Sequence, residues 1–431
     1  MLNISKLRSG KWNPWKKAGA GVGLLLTLCL LAIMGGPGPA ALAAEKGPIK
    51  IGFIAPHTGN FAQIGLDMVD GFKMYLNEIN YTVAGRKIEL IVEDEGDNPS
   101  AAVTKMRKLI TQDKVNLVAG VMMTSAAYAV SPVCESASVP LIITFSAGDD
   151  LTQRKSSKYL TRVSFTGGEL GHVAGDYAYN KLGWRKVATI AMDYGWGHEN
   201  VGGFQTVFEE LGGKVIQKVW TPVTTMDFGP YVASLKRDAD GIFDVITGAA
   251  SVRFIKSMRS SGLMDKWKIV VPGTATDESL LPALGDAGLG VLSVFNWSAA
   301  LNTPENAQFR EKAPKLLKRE ATCGMALCYT GADVIARAIK AVNGDVENKD
   351  KFLQALRVDI PSSLRGPLKI DKYGHVIQNV YIRRVDKAGN NYQNTIVETY
   401  PNVTQFYKFD PETYLKTPVY GRDYPPCKNC E

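Results

Sequence analysis

Apolar residues recur along this chain in two alternating rhythms. Short β-branched runs give way to longer stretches with apolar residues three and four apart, and the alternation then repeats. The run 49–55 ends in the loop Pro56-His57-Thr58-Gly59-Asn60-Phe61, after which Ile64, Met68, Phe72, Tyr75, Leu76 and Ile79 mark one helical face. Gly85 turns into a strand at 87–93. Asp97-Asn98-Pro99 opens a second helix, with a capping side chain ahead of proline and with Val103, Met106, Leu109 and Ile110 on its apolar face. A buried strand at 115–119 stops at Gly120. Thr124 or Ser125 then stands where an N-cap is wanted before the Ala-rich run 126–137, and 139–144 is a further buried strand opening into the loop 145–150. Strands alternating with helices in this order predict a parallel, doubly wound sheet.

A second series follows. Strands are expected at 158–164, 186–192, 215–220, 243–247 and 268–271, with helices at 169–182, 201–211, 231–237 and 251–260 between them. Past 290–297 the pattern returns to helices, at 304–319, 325–342 and 351–356. A strand at 364–371, a hairpin at 376–384 and 392–398, and an extended surface tail close the chain. The fold class is therefore α/β, with two doubly wound lobes facing each other across a cleft.

Such sheets bind ligands beyond the carboxyl ends of their strands. A helix N-terminus there offers free N–H groups and a positive dipole end to an anion such as a carboxylate. Thr124, Ser125 and Ser146 can add hydroxyl donors, although Thr124 also fits a plain N-cap.

The first 44 residues read differently. Lys6, Arg8, Lys11, Lys16 and Lys17 precede an apolar run at 22–34, a Gly/Pro break and Ala41-Leu42-Ala43-Ala44, the order of a cleaved signal peptide. The apolar run falls short of the roughly 20 residues of a membrane span. Export to the periplasm or another extracytoplasmic space is the expectation. Fifty basic residues face 42 acidic ones over the whole chain, and 45 face 42 without the five in the leader. That balance gives no argument for nucleic acid. Beyond the leader, Cys134 falls on an apolar helix face and is expected to be a buried free thiol. Cys427 and Cys430 are expected to form a small disulfide, and Cys323 with Cys328 could form another.

At this point the chain resembles the branched-chain amino acid type of periplasmic substrate-binding protein that serves ABC importers. The likeness runs from about 48 to 398. It is carried by Ile49-Lys50-Ile51-Gly52-Phe53-Ile54-Ala55-Pro56 with Thr58-Gly59, by Gly85-Arg86-Lys87-Ile88-Glu89-Leu90, and by Asp94. Val139-Pro140-Leu141-Ile142 with Ser146-Ala147, Asp193-Tyr194 with Trp196-Gly197, Gly212-Gly213-Lys214-Val215, Asp227-Phe228, and Gly366-Pro367-Leu368 with Asp371 add to it. The resemblance implies two lobes joined by three crossovers, near 165–168, 294–296 and 375–379. Lobe one would take 48–165 and 297–377, lobe two 166–296 and 378–400, leaving 401–431 as a tail. It implies a monomer whose partners are a small carboxylate ligand and the membrane permease.

The resemblance also implies a site. Thr124 and Ser146-Ala147-Gly148 match the family's carboxylate-binding positions, and Trp196 matches the aromatic residue that covers the ligand, with Tyr194 nearby. Trp297 falls near another aromatic wall position and Phe61 lies in the first loop; Trp196 and Trp297 could equally serve interlobe packing. The amine side departs from the pattern. Where amino acid binders carry an acid, this chain has Gly273 or Thr274, with Asp277 a few residues on, and the expected tyrosine near Ala249-Ala250 is missing. An aromatic or other hydrophobic carboxylate is the favoured ligand, with branched-chain amino acids as the alternative.

No Gly-x-Ser-x-Gly elbow or phosphate-binding loop occurs, and His57, His172, His198 and His375 have no metal-ligand spacing, so neither metal nor cofactor is expected. A sensor of the same fold that signals without transport stays open beside the importer reading, as does an exported enzyme.

Overall fold

Residues 46–430 are described by a computed structural model; the expected signal peptide, 1–44, lies outside the described residues. The first lobe is built on β1 (Ile49–Ala55), β2 (Thr82–Val83), β3 (Arg86–Asp94), β4 (Leu117–Gly120), β5 (Leu141–Ile143) and β6 (Leu160–Arg162), ordered β2-β3-β1-β4-β5-β6. All pairs are parallel except β2–β3, and Ile51 of β1 lies between Leu90 and Leu117. Helices α1 (Ala62–Glu78), α2 (Pro99–Thr111) and α3 (Thr124–Ser136) cover the sheet. α2 starts as its sequence dictates: the Asn98 side chain accepts the Ala101 N–H, with Pro99 in the first turn.

The second lobe follows with α4 (Gly167–Asn180), β7 (Lys186–Met192), α5 (Gly195–Glu210), β8 (Lys214–Thr221), α6 (Gly229–Ala233), β9 (Gly241–Val245), α7 (Ala249–Ser260), β10 (Lys268–Pro272), α8 (Leu281–Leu284) and β11 (Leu292–Phe295). The chain then returns to the first sheet with α9 (Pro304–Leu317), α10 (Cys323–Ala341) and α11 (Lys349–Ala355). α10 crosses α1 so closely that a Cβ on Gly71 would collide with the Met325 backbone. β12 (Asp359–Ile360), β13 (Leu368–Ile370), β14 (Val376–Ala388) and β15 (Asn391–Val403) complete a nine-stranded sheet, β12-β13-β14-β11-β10-β9-β7-β8, with β15 beside β14. Its β8-β7-β9-β10-β11 portion is parallel, and the strands after β11 are antiparallel.

The segments near 164–169, 296 and 375–378 are tied together. Gln378 Nε2 and Asn296 Nδ2 both donate to the Ser164 carbonyl, at 2.7 and 3.1 Å, and Asn296 also donates to Gln378 Oε1 at 2.8 Å. Buried Arg365 donates to the Val163 carbonyl and to Gln378. Glu169, in a reciprocal capping box with Thr166 at the start of α4, lies 2.9 Å from His375 Nε2. Burial lifts the Glu169 carboxyl to about 8 and holds the His375 imidazole down near 3.

Four expectations are corrected. Thr124 is the first helical residue of α3, with Met123 as its N-cap, because the chain has already turned at Gly120 (φ 106°) and Val121. The expected helix at 231–237 is α6, started by Pro230 and stopped where Ser234 Oγ donates to the Tyr231 carbonyl. Cys323 and Cys328 are free buried thiols. Five residues apart on α10, they face different directions, and Cys328 Sγ lies 3.0 Å from Thr144 Oγ1 instead. The tail is no surface appendage. It buries Phe406 and Tyr414, forms α12 (Pro411–Tyr414), and ends in the Cys427–Cys430 disulfide. Cys134 is the buried free thiol expected of it.

Candidate functional site

The loops at the carboxyl ends of β4, β5, β7, β9 and β10 converge between the lobes. Together they form a half-open recess lined by Met122, Met123, Thr124, Phe145, Ala147, Phe165, Tyr194, Trp196, Thr247 and Thr274. Four aromatic and two methionine side chains make its walls. No carboxylate, imidazole, amine or guanidinium is among them.

The first lobe presents the start of α3. Glu95, fully buried, accepts the Met122 and Met123 N–H groups at 2.7 and 2.8 Å and so fixes the loop before the helix. Burial lifts its carboxyl to about 7 against those two bonds. The first-turn amides of α3 have no acceptor within the helix. Thr124 is 3% exposed, and Gly195 at the start of α5 lies against its methyl group, so the two lobes meet there. Ser146 is held by its backbone, its N–H donating to Val121 O and its carbonyl accepting from Ser164 Oγ.

The second lobe presents Trp196, 5% exposed, from the first turn of α5. Its ring meets Phe165 at 5.7 Å, and Phe165 in turn contacts Phe145 and Phe295 edge-on at 6.0 and 5.1 Å. Thr247 Oγ1 donates to the Thr274 carbonyl, and Ser251 Oγ bridges Gly248 O and Ala275 O, which fixes the loops after β9 and β10 against each other. Three buried polar atoms here have no partner among the described residues: Ser146 Oγ, Trp196 Nε1 and Thr274 Oγ1. Native proteins satisfy most such atoms with protein groups, ordered water or a ligand.

A second recess lies beside the first and shares Thr247 with it. Phe61, Met192, Val223, Ala249, Ala250 and Arg253 complete its lining.

Of the residues singled out in the sequence, Thr124, Ala147, Tyr194, Trp196 and Thr274 thus come together around one space, and Phe61 and Ala249 around its neighbour. Ser146 stands between the lining residues Phe145 and Ala147. Four others lie elsewhere. Ser125 is half-buried one position along α3, and the Gly148 carbonyl accepts from Arg162. Asp277 is 5% exposed but turned away: one oxygen accepts from the Ser279 N–H and hydroxyl, the other from the Cys323 N–H at the start of α10. Trp297 is core, 0% exposed, its indole N–H donating to Asn306 at 2.9 Å and its ring edge-on to Phe309. Sequence reasoning missed Glu95, Met122, Met123 and Thr247. A carboxylate just past a strand reads as a solvated turn, and nothing local signals that it fixes the distant loop before α3.

Beside this space the lobes are joined by buried charge. Tyr128 OH and the Asp149 N–H both donate to Glu199 Oε1, at 2.9 and 3.1 Å, and the Gly168 N–H donates to Asp149. Arg162 donates to the Ala147, Gly148 and Phe165 carbonyls and to Thr152 Oγ1. Burial pushes the Glu199 carboxyl well above the usual range.

A family profile described as periplasmic binding protein matches residues 48–390. The chain is 31% identical over 369 residues to the Leu/Ile/Val-binding protein homolog 6 of Brucella melitensis, spanning 84% of this chain and 94% of that protein. Among solved structures, an ABC transporter substrate-binding protein from Sphaerobacter thermophilus is 33% identical with a TM-score of 0.79, covering 83% of this chain and 99% of its own. A solute-binding protein of an ABC transporter from Rhodopseudomonas palustris, solved with p-hydroxybenzoic acid, is 32% identical with a TM-score of 0.79, covering 83% and 98%.

Proposed function

This chain belongs to the periplasmic binding protein family, and we propose that it captures an aromatic carboxylate between its lobes and delivers it to the permease of an ABC importer. The observation that carries this reading is the chemistry of the recess between the lobes. Its walls are aromatic and thioether, its unpaired polar atoms are neutral hydrogen-bonding groups, and it has no carboxylate to receive an ammonium. The ligand carboxylate accepts from the first-turn amides of α3 and the hydroxyls of Thr124 and Ser146, where the helix dipole favours negative charge. Trp196 covers the ring, and its Nε1–H and Thr274 Oγ1 serve the ligand's remaining oxygen atoms. The p-hydroxybenzoic acid held by the Rhodopseudomonas palustris protein supports this choice.

The Brucella relative's name points to branched-chain amino acids. Here, however, an amino acid would bury its ammonium without a partner, at a cost of several kcal/mol. Asp277 is occupied at α10 and Glu95 at α3. The lobes, 48–165 with 297–377 and 166–296 with 378–400, close about the three tied crossovers as ligand enters. The protein works as an exported monomer.

Calorimetric titration of refolded, ligand-free protein with benzoate, 4-hydroxybenzoate, leucine and phenylalanine tests the reading. The two plain carboxylates should bind, and small-angle scattering should show a smaller radius of gyration when they are saturating. Tight binding of leucine with neither benzoate would overturn it.

A further inference from the structure

α7 begins at the mouth of the cleft with two alanines. Side chains on a helix lean toward its N-terminus, and residues three and four apart share a face. Arg253 therefore reaches back over Ala250 and Ala249 into the space those small residues leave open. That space neighbours the ligand recess, and Thr247 lines both. Met192 and Val223 wall it from the second lobe, and Phe61 closes it from the first.

Arg253 has few partners there. One Nη donates to the Thr225 carbonyl at 3.2 Å, Nε is buried with no acceptor, and the side chain makes no ion pair among the described residues. A guanidinium with an unpaired donor, in a recess that shares Thr247 with the ligand site, is a receptor for an anion. Carboxylate matches its planar fork best.

We infer that Arg253 forms the far end of the ligand site and selects aromatic acids that carry a second anionic group. The inference rests on the aromatic-acid reading above and sharpens it. One end of the ligand meets α3 and Ser146, the ring lies under Trp196, and the far group meets Arg253. A simple benzoate fills only the first part.

The test compares benzoate with benzene-1,4-dicarboxylate by calorimetry on the wild-type protein, Arg253→Gln and Arg253→Lys, with thermal melts to verify that each variant folds. The wild type should bind the dicarboxylate more tightly than benzoate. Arg253→Gln should weaken the dicarboxylate about ten- to a hundredfold, the range for a hydrogen bond to a charged group, and leave benzoate within about threefold. Arg253→Lys should recover part of the loss, because charge returns without the fork. Equal weakening of both ligands, or an unchanged ratio between them, would overturn the subsite while leaving the aromatic-acid reading intact. Failure of every aromatic acid to bind the wild type would overturn both.

Discussion

Two buried regions lie side by side between the lobes and treat polar groups in opposite ways. In the seam around Arg162, Asp149, Glu199 and Tyr128, charged and hydroxyl groups bond across the lobes to one another and to carbonyls. In the cleft next to it, Ser146 Oγ, Trp196 Nε1 and Thr274 Oγ1 are equally buried and have no partner among the described residues. Both lack solvent, so desolvation does not separate them. What separates them is the location of the partner. The seam finds most of its partners within the chain, with Arg162 Nε and Glu199 Oε2 left over, whereas these three cleft atoms find none, which is what the proposed ligand would supply.

The largest effect should come from breaking the seam. Arg162→Met removes four donor bonds and leaves the carbonyls of Ala147, Gly148 and Phe165 without them. Removing one partner from a buried charged network costs about 3–5 kcal/mol, so the urea midpoint should fall sharply. A shift of under about 1 kcal/mol would show that the seam is not the structural element this comparison makes it.

Titrating the neighbouring crossover ties comes next. Glu169 has a folded-state value raised to about 8 from an ordinary 4.5. The unfolded chain therefore gives up this proton first, and stability is lost as pH rises from about 5 through 8. One such group contributes a slope of roughly 1 kcal/mol per pH unit inside that window. Glu95, raised to about 7, adds loss of the same sign. His172 and His375, both held down near 3, act oppositely, and their contribution disappears as pH falls from 6.5 toward 3. The melting temperature should decline between about pH 6.5 and 8.5, where both histidines are neutral folded or unfolded, and less steeply in Glu169→Gln. A flat alkaline limb would contradict this.

The cleft should respond with the opposite sign. Thr274→Val and Ser146→Ala each delete a buried hydroxyl that no group among the described residues satisfies. The ligand-free protein should be unchanged or slightly more stable, while affinity for 4-hydroxybenzoate falls by about 1 kcal/mol per lost bond. Loss of stability matching the loss of affinity would show these hydroxyls to be structural.

The two regions were unequally legible in the sequence. Strand and helix periodicity, Asn98-Pro99 and the Gly-terminated strands revealed the α/β order, because those signals are local. Thr124, Trp196 and Thr274 could be picked out because cleft residues sit at fixed places after strands. The seam could not. Arg162 ends a strand, Glu199 lies inside a helix and Tyr128 on another, and only three-dimensional closure brings Tyr128 to 2.9 Å from Glu199 and Arg162 to 3.0 Å from Thr152. Trp297 and Asp277 misled for the same reason. Each sits beside a cleft loop in sequence, yet Asn306 and the start of α10 claim their polar atoms.

The smallest effect is expected from the tail bond. The tail spans both lobes: Arg154 donates to the Tyr414 and Thr417 carbonyls on one side, and Gln205 and Lys218 donate to those of Pro426 and Pro425 on the other. Tyr420 meets His172 at 3.0 Å, and Lys408 pairs with Asp176. With so many holds, the Cys427–Cys430 bridge, only three residues apart, adds little, since so short a loop has little chain entropy to lose. Replacing both cysteines by serine should leave affinity for 4-hydroxybenzoate within about twofold. Thiol titration sharpens this point. The denatured wild-type protein from 46 onward should show the three thiols of Cys134, Cys323 and Cys328, and the folded protein almost none, because all three are buried. A single thiol on denaturation would mean that Cys323 and Cys328 are bridged after all. α10 would then have to unwind, and the Thr144–Cys328 contact would be lost.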